Sequence, residues 1–158
     1  MLLAAAGALA VGPTASAIPL LYLAAVTPVL VEIDLTERRL PNRLVLPGYL
    51  VGATGMALHW FSTAELPLTA IVSGIGYFSL LLVAGLAGGM GMGDVKLGGV
   101  LGLSAGLVSA EVALASPLLA FTFGGLWSVA LLARGRRRAR IPFGPFLLAG
   151  YWLAVVLF

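Results

Sequence analysis

Hydrophobic residues in this chain occur in long continuous runs and do not alternate one by one with polar residues. Apolar runs are separated by short stretches rich in Gly, Pro, Arg or acidic residues. Such continuous runs predict helices, because a membrane strand would show about ten residues of strict alternation. We assign seven runs as predicted spans, the first of them short: 2–12, Ile18–Ile33, Leu44–Ser62, Leu68–Leu86, Val95–Ser109, Val112–Ala133 and Phe143–Phe158.

The first run has two interpretations. Ala15, Ser16 and Ala17 have the A-x-A form of a signal-peptide cleavage site and follow an apolar stretch of suitable length. No basic residue precedes that stretch, although a signal peptide begins with a positively charged region. We therefore favour a retained short helix over a cleaved signal.

Composition indicates that the bilayer is the solvent of this protein. The 158 residues are 61% hydrophobic and 9% charged, whereas a soluble domain has about 45–50% apolar and about 25% charged residues. A spanning helix takes about 20 residues. We predict an all-α fold, a polytopic membrane helical bundle with six to seven transmembrane helices, forming one membrane-embedded domain over residues 1–158.

The basic residues lie in alternate connections between the spans, which the positive-inside rule places in the cytoplasm. The net charge of +3 therefore indicates topology and not nucleic-acid binding. The arginines before the last span also predict contact with anionic membrane lipids. The basic residues are Arg38, Arg39, Arg43, Lys96, Arg134, Arg136, Arg137, Arg138 and Arg140.

Both aspartates of the chain lie on this cytoplasmic side. Asp34 ends the second run, and Asp94 follows Gly91 and Gly93 at the start of the fifth. A single aspartate there would be interpreted as a helix cap or a solvated boundary residue. Two at similar depth favour a functional pair, because an ionisable group in a membrane is costly unless it is solvated, paired or functional. The glycines would allow close backbone approach.

Two neighbouring carboxyl groups tend to share one proton. One can then act as a base toward water while the other hydrogen-bonds a substrate carbonyl, which hydrolyses an amide without a covalent intermediate. The absence of cysteine excludes a thiol nucleophile and a thiolate zinc site, and we expect no metal and no cofactor. The single histidine, His59, lies near the opposite membrane face, where an aromatic belt with Trp60 and Phe61 explains it.

Three segments resemble motifs of the type IV prepilin peptidases, membrane-embedded aspartic proteases of the GxGD class. Asp34–Asn42 (DLTERRLPN) is similar to the first aspartate segment of that family. Gly91–Leu97 (GMGDVKL) is similar to the second, and Ile141–Phe146 (IPFGPF) resembles the motif that begins the last helix. The resemblance extends from about Ile18 to the end of the chain.

The resemblance implies that Asp34 and Asp94 are the catalytic pair of an aspartic endopeptidase. Its substrates would be prepilin-like proteins with a short basic leader and an apolar helix, cleaved at the cytoplasmic face of a bacterial cytoplasmic membrane. Gly91 and Gly93 would allow backbone approach, and Pro41 and Pro142 would shape the entrance. The residues expected to support the site are Gly91, Gly93, Lys96, Pro41, Asn42, Pro142 and Gly144.

The chain also departs from the family pattern. It has no cysteine and thus lacks the paired CxxC motifs linked to N-methylation in bifunctional members, so it resembles the compact, peptidase-only form of Flp-type pilus systems. Glu32 points about 200° away from Asp34 on a helix, which argues against a direct role. Lys96 has two open interpretations: a snorkelling cytoplasmic anchor or a residue that tunes the charge of the site.

The sequence is also compatible with two other functions. One is a small proton- or ion-coupled membrane transporter that uses the aspartates as a charge relay, and the other is a catalytically silent pilus-assembly factor. The spans show no evident inverted repeat, and both acids lie at one membrane face rather than at the midplane. The sequence assigns neither which aspartate is the acid nor an oligomeric state.

Overall fold

Six helices make up the part of the chain that the structure describes. The structure is a computed structural model that describes residues 15–88, 90–134 and 142–158, and these ranges contain no strand. The all-α prediction is therefore confirmed. The first apolar run, 2–12, and the arginines at 136, 137, 138 and 140 lie outside the described residues. The helices are α1 (Ala17–Glu37), α2 (Asn42–Thr63), α3 (Leu68–Leu86), α4 (Met92–Val108), α5 (Ala110–Ala133) and α6 (Gly144–Leu157).

Helix length and composition agree with a membrane bundle. Helices α1, α2, α3 and α5 have 21, 22, 19 and 24 residues and are apolar enough to cross a membrane. About 20 residues are needed for this, whereas α4 has 17 residues and the apolar helix α6 has 14. Four described helices thus meet the requirements for a span, and the larger number of six to seven stays a prediction.

The helices extend beyond the apolar runs at the end that carries the basic residues. Helix α1 continues to Glu37 and ends at Arg38, which has a left-handed backbone (φ 53°) and donates its N–H to the Asp34 carbonyl. Helix α4 begins at Met92, before the predicted start at Val95. Hydropathy marks only the apolar part of a helix, whereas backbone hydrogen bonding continues into polar residues. Both aspartates are therefore helical.

Helix α4 occupies the centre of the bundle, in contact with α2, α3, α5 and α6. Its glycines face α3 closely: a Cβ at Gly102 would lie 2.8 Å from the carbonyl carbon of Ser73, and one at Gly98 would overlap Leu81. Small residues allow membrane helices to approach in this way. The Ser73 hydroxyl then reaches α4 and donates to the carbonyl of Gly102 at 2.7 Å.

Side-chain hydrogen bonds join the helices inside the core. The hydroxyls of Ser104 on α4 and Tyr151 on α6 lie 2.6 Å apart. Trp152 on α6 donates its indole N–H to the hydroxyl of Thr27 on α1 at 3.0 Å. The hydrocarbon of a membrane offers no water for buried polar groups, so they must find partners within the protein. These bonds hold α6, whose first turn reaches the candidate site, against α1 and α4.

The variant Gly102→Ala tests the close approach of α3 and α4. The added methyl group would collide with the Ser73 backbone, and we expect the free energy of unfolding to fall by about 1–3 kcal/mol. Gly76→Ala on α3 is the matched control, because a Cβ there meets nothing within 4 Å. Thermal unfolding in detergent measures both variants. Equal shifts for the two would contradict the packing described.

Candidate active site

Asp34 lies in the last turn of α1, and its side chain is buried, with 4% exposure. Its Oδ2 accepts a hydrogen bond from the Gly144 N–H at 3.1 Å. Gly144 is the first residue of α6, and the N–H groups of a first helical turn lack partners within the helix and favour an anion. The structure thus holds the Asp34 carboxylate against the N-terminus of α6.

The packing around Asp34 leaves no room for a side chain at position 144. A Cβ at Gly144 would lie 2.7 Å from Asp34 Oδ2 and 3.4 Å from Leu40 Cδ1. Pro145 follows in the first turn of α6, where its fixed φ suits helix initiation. Pro142 is half-buried in the irregular segment before the helix. This segment therefore presents a bare backbone N–H to the carboxylate.

Asp94 lies in the first turn of α4, and its two oxygens have different surroundings. Oδ2 accepts a hydrogen bond from the Gly91 N–H at 3.3 Å, as acidic residues at the third helical position commonly do. Oδ1 is buried and has no hydrogen-bond partner within the described residues. An unpaired buried acceptor costs about 1–3 kcal/mol. One oxygen of Asp94 thus caps the helix, and the other is buried without a hydrogen-bond partner among the described residues.

The fold brings the two aspartates together. Their carboxyl groups are close enough to interact electrostatically. Leu40, which is buried with 8% exposure, packs between Gly93, the neighbour of Asp94, and Gly144, whose N–H binds Asp34. A Cβ at Gly93 would be 3.0 Å from Leu40 Cβ, and one at Gly144 would be 3.4 Å from Leu40 Cδ1. Neighbouring carboxyl groups favour a shared proton, so the arrangement can supply one acid and one base.

Lys96 and Asn42 contact each other. Lys96 Nζ donates to Asn42 Oδ1 at 3.1 Å, and among the described residues no ion pair joins Lys96 to either aspartate. The Tyr49 hydroxyl on α2 donates to the Lys96 carbonyl at 2.8 Å. These contacts connect the start of α2, where the first aspartate segment ends, with the start of α4.

The remaining residues expected at the site differ in how closely they are packed. Gly91 is exposed, and a Cβ there would make only ordinary contact, 3.5 Å from Asp94 Oδ2. Gly93 is tighter, because a Cβ would also lie 3.3 Å from the Leu40 nitrogen. Pro41 precedes α2 and is half-buried. Glu32 is exposed, away from buried Asp34.

The sequence pattern does not identify Leu40 or Tyr49 as residues of the site. Leu40 packs against Gly93 and Gly144, and Tyr49 binds the carbonyl of Lys96. Leu40 is the single apolar residue in the polar segment Thr36–Asn42, and this isolation is a usable signal for a buried contact. Tyr49 follows Asn42 by about two helical turns within an apolar run. A buried phenol usually finds a hydrogen-bond partner, but its partner could not be named from the sequence.

The chain belongs to the type IV leader peptidase family, whose sequence profile matches residues 20–132. It is 34% identical over 134 residues to the prepilin leader peptidase/N-methyltransferase of Pseudomonas putida, which covers 78% of this chain and 44% of that protein. The protein of the same name from Aeromonas hydrophila is 30% identical over 160 residues, which covers 98% of this chain and 54% of that protein. The chain spans about half the length of the curated relatives it matches. No solved structure matches it.

The family and the apolar helices together identify an integral membrane protein. The family match includes both aspartates, and the family is one of peptidases. This family match does not support the interpretation of the chain as a transporter.

Cross-linking can test the convergence of the two aspartate segments. The chain has no cysteine, so Asp34→Cys/Asp94→Cys introduces two unique thiols, which we expect a short bismaleimide to join. The matched control is Asp34→Cys/Glu65→Cys, because Glu65 follows the far end of the 22-residue helix α2, about 33 Å along its axis. Proteolysis between the two positions and gel electrophoresis detect the link. Two reactive thiols at 34 and 94 that fail to join would contradict the placement.

Proposed function

We propose that this protein is an aspartic endopeptidase that removes the basic leader peptide from type IV prepilin-like precursors. The observation that carries the proposal is the convergence of the two aspartate-bearing helix ends: Gly144, whose N–H binds Asp34, and Gly93, which precedes Asp94, both pack against Leu40. One buried oxygen of Asp94 has no hydrogen-bond partner among the described residues. Membership of the type IV leader peptidase family supports the substrate class. The names of the relatives, prepilin leader peptidase/N-methyltransferase, support the same reaction.

In the proposed mechanism, the two carboxyl groups together hold one proton. The ionised aspartate takes a proton from a water molecule, whose oxygen attacks the carbonyl carbon of the scissile peptide bond. The protonated aspartate donates its proton to the carbonyl oxygen. The tetrahedral intermediate then collapses: one of its two hydroxyl groups returns a proton to the ionised aspartate as the C=O bond forms again, the C–N bond breaks, and the leaving nitrogen takes a proton from the protonated aspartate. The pair again holds one proton.

The proposed roles of the two residues remain interchangeable, because the protons of a coupled pair belong to the pair. Their surroundings nevertheless differ. Asp34 Oδ2 is held by the Gly144 N–H, which restricts the motion of that carboxyl group. Asp94 Oδ1 has no partner among the residues described, and we propose that it contacts the attacking water.

We propose that the site faces the cytoplasm in a bacterial cytoplasmic membrane. The aspartates lie at the helix ends next to Arg38, Arg39 and Arg43, and basic residues favour the cytoplasmic side. A basic leader would remain on that side while the apolar substrate helix lies in the bilayer. The scissile bond would then be at the boundary, where the carboxyl pair lies. The arginines before the last span would contact anionic lipid headgroups.

The chain carries no cysteine and so no CxxC pair. We propose that these residues supply peptidase activity alone, as in Flp-type pilus systems. The N-methyltransferase part of the name belongs to the relatives.

The variants Asp34→Asn and Asp94→Asn test the catalytic pair. Each amide keeps the shape of the side chain but cannot exchange a proton, so we expect cleavage to fall by about 10²–10⁴-fold. The measurement is the gel shift of a synthetic prepilin incubated with the purified full chain in detergent. Glu32→Gln is the matched control on α1, because Glu32 is exposed; it should cleave normally.

Full cleavage by either Asp→Asn variant would rule out the paired-carboxylate mechanism. A folded, unsubstituted protein that cleaves no prepilin would instead favour the silent assembly factor. The two results are therefore distinguishable in one assay.

Gly144→Ala tests the support of Asp34 by the start of α6. The new Cβ would lie 2.7 Å from Asp34 Oδ2 and displace the carboxylate, and displacements of about 1 Å cost about 10²-fold in rate. We expect a loss of that size in prepilin cleavage with the helical content retained. Gly125→Ala on α5, where a Cβ meets nothing within 4 Å, is the control. Normal cleavage by Gly144→Ala would show that this contact is dispensable.

A further inference from the structure

We propose that Lys96 and Asn42 are positioning residues that keep Leu40 packed between Gly93 and Gly144 and thereby set the separation of the carboxyl groups. The contacts that carry this inference are the hydrogen bond between Lys96 Nζ and Asn42 Oδ1 and the packing of Leu40 against Gly93 and Gly144. The effect on catalysis rests on the proposed function, whereas the effect on the separation of the aspartates does not.

Lys96 points away from the carboxyl pair. It follows Asp94 by two positions on α4, so their side chains leave the helix about 200° apart. Its ammonium group donates to the Asn42 side chain at 3.1 Å, and the part of the chain that the structure describes holds no ion pair between Lys96 and an aspartate. A direct electrostatic partnership with the site is therefore not the role that this geometry supports.

A second contact strengthens the connection between α2 and α4. The Tyr49 hydroxyl donates to the Lys96 carbonyl at 2.8 Å, and its ring lies so close to α4 that a Cβ at Gly99 would be 3.0 Å from Tyr49 Cζ. The first two turns of α2 are thus attached to the first two turns of α4. Helix α2 therefore contacts Lys96 twice: the Asn42 side chain accepts a hydrogen bond from its ammonium group, and the Tyr49 hydroxyl donates one to its carbonyl.

Leu40 transmits this attachment to the site. It lies two residues before Asn42, and the residue between them, Pro41, has a restricted φ of −72°. The position of Asn42 therefore limits the position of Leu40. Leu40 in turn packs against Gly93, the neighbour of Asp94, and against Gly144, whose N–H holds Asp34. Residues 38–41 form the loop between α1 and α2. Loss of the Lys96–Asn42 bond would let this loop move, so that Asp34 and Asp94 shift relative to each other.

The kinetic test uses the purified full chain and a synthetic prepilin. Lys96→Met and Asn42→Leu each remove one side of the bond, and we expect kcat to fall by about five- to tenfold with KM changed by less than about twofold. Lys96→Arg and Asn42→Asp keep the donor and the acceptor and should retain most of kcat. The double variant Lys96→Met/Asn42→Leu should be no slower than either single variant, because both lose the same interaction.

The pH dependence of kcat separates positioning from charge tuning. If Lys96 positions the loop, Lys96→Met and Asn42→Leu lower kcat equally at every pH. A shift of the pH profile in Lys96→Met that Asn42→Leu does not share would overturn the proposal, as would losses that add in the double variant. Arg43→Met is the matched control, because Arg43 is an exposed basic residue next to Asn42; its kcat should be normal.

Cross-linking gives a readout that does not require activity. In the Asp34→Cys/Asp94→Cys background, we expect Lys96→Met or Asn42→Leu to lower the rate of cross-linking by a short bismaleimide, and Arg43→Met to leave it unchanged. Equal rates in all four proteins would overturn the proposal even if the enzyme is active. If the unsubstituted chain cleaves no prepilin but the cross-linking rates differ as expected, the proposed function fails and the positioning role stands.

Discussion

The hydrogen bond from the Gly144 N–H to the Asp34 carboxylate joins the C-terminal end of α1 to the first turn of α6, 110 residues later. The rest of the site depends on this contact, because it determines where one of the two carboxyl groups lies. The bond needs three things at once: an unpaired N–H at a helix start, an aspartate in the last turn of α1, and no side chain at position 144. Each is supplied by a different feature of the sequence, and the fold brings them together.

The precision of that contact depends on how α6 is held in the bundle. Within a membrane, helices gain little from burying apolar side chains against one another, so close packing and internal hydrogen bonds stabilise their arrangement. Helix α4 provides the close packing through glycines such as Gly102, and the bonds of Tyr151 to Ser104 and of Trp152 to Thr27 hold α6 to its neighbours. The polar contacts of the core therefore have a direct consequence for the position of the Gly144 N–H.

The two oxygens of the Asp94 carboxyl group have different surroundings. The Gly91 N–H binds Oδ2 and begins α4, while Oδ1 remains unpaired among the described residues. An aspartate at a helix start is usually interpreted as a helix cap. That interpretation accounts for Oδ2 of Asp94 but not for Oδ1. Leu40, packed between Gly93 and Gly144, is an ordinary core contact that lies next to both aspartate-bearing helix ends.

The sequence by itself determined the helical class, the approximate positions of the described helices and the two aspartates, because long apolar runs, basic connections and rare charges are local properties of the chain. It did not determine that α1 reaches Glu37 or that α4 begins at Met92, since backbone hydrogen bonding continues where hydropathy has already fallen. Only the tertiary structure decided that Leu40 is buried between Gly93 and Gly144 and that Lys96 binds Asn42 and not an aspartate. Those contacts join residues far apart in the chain, and their partners follow from how helices pack, which no local pattern encodes.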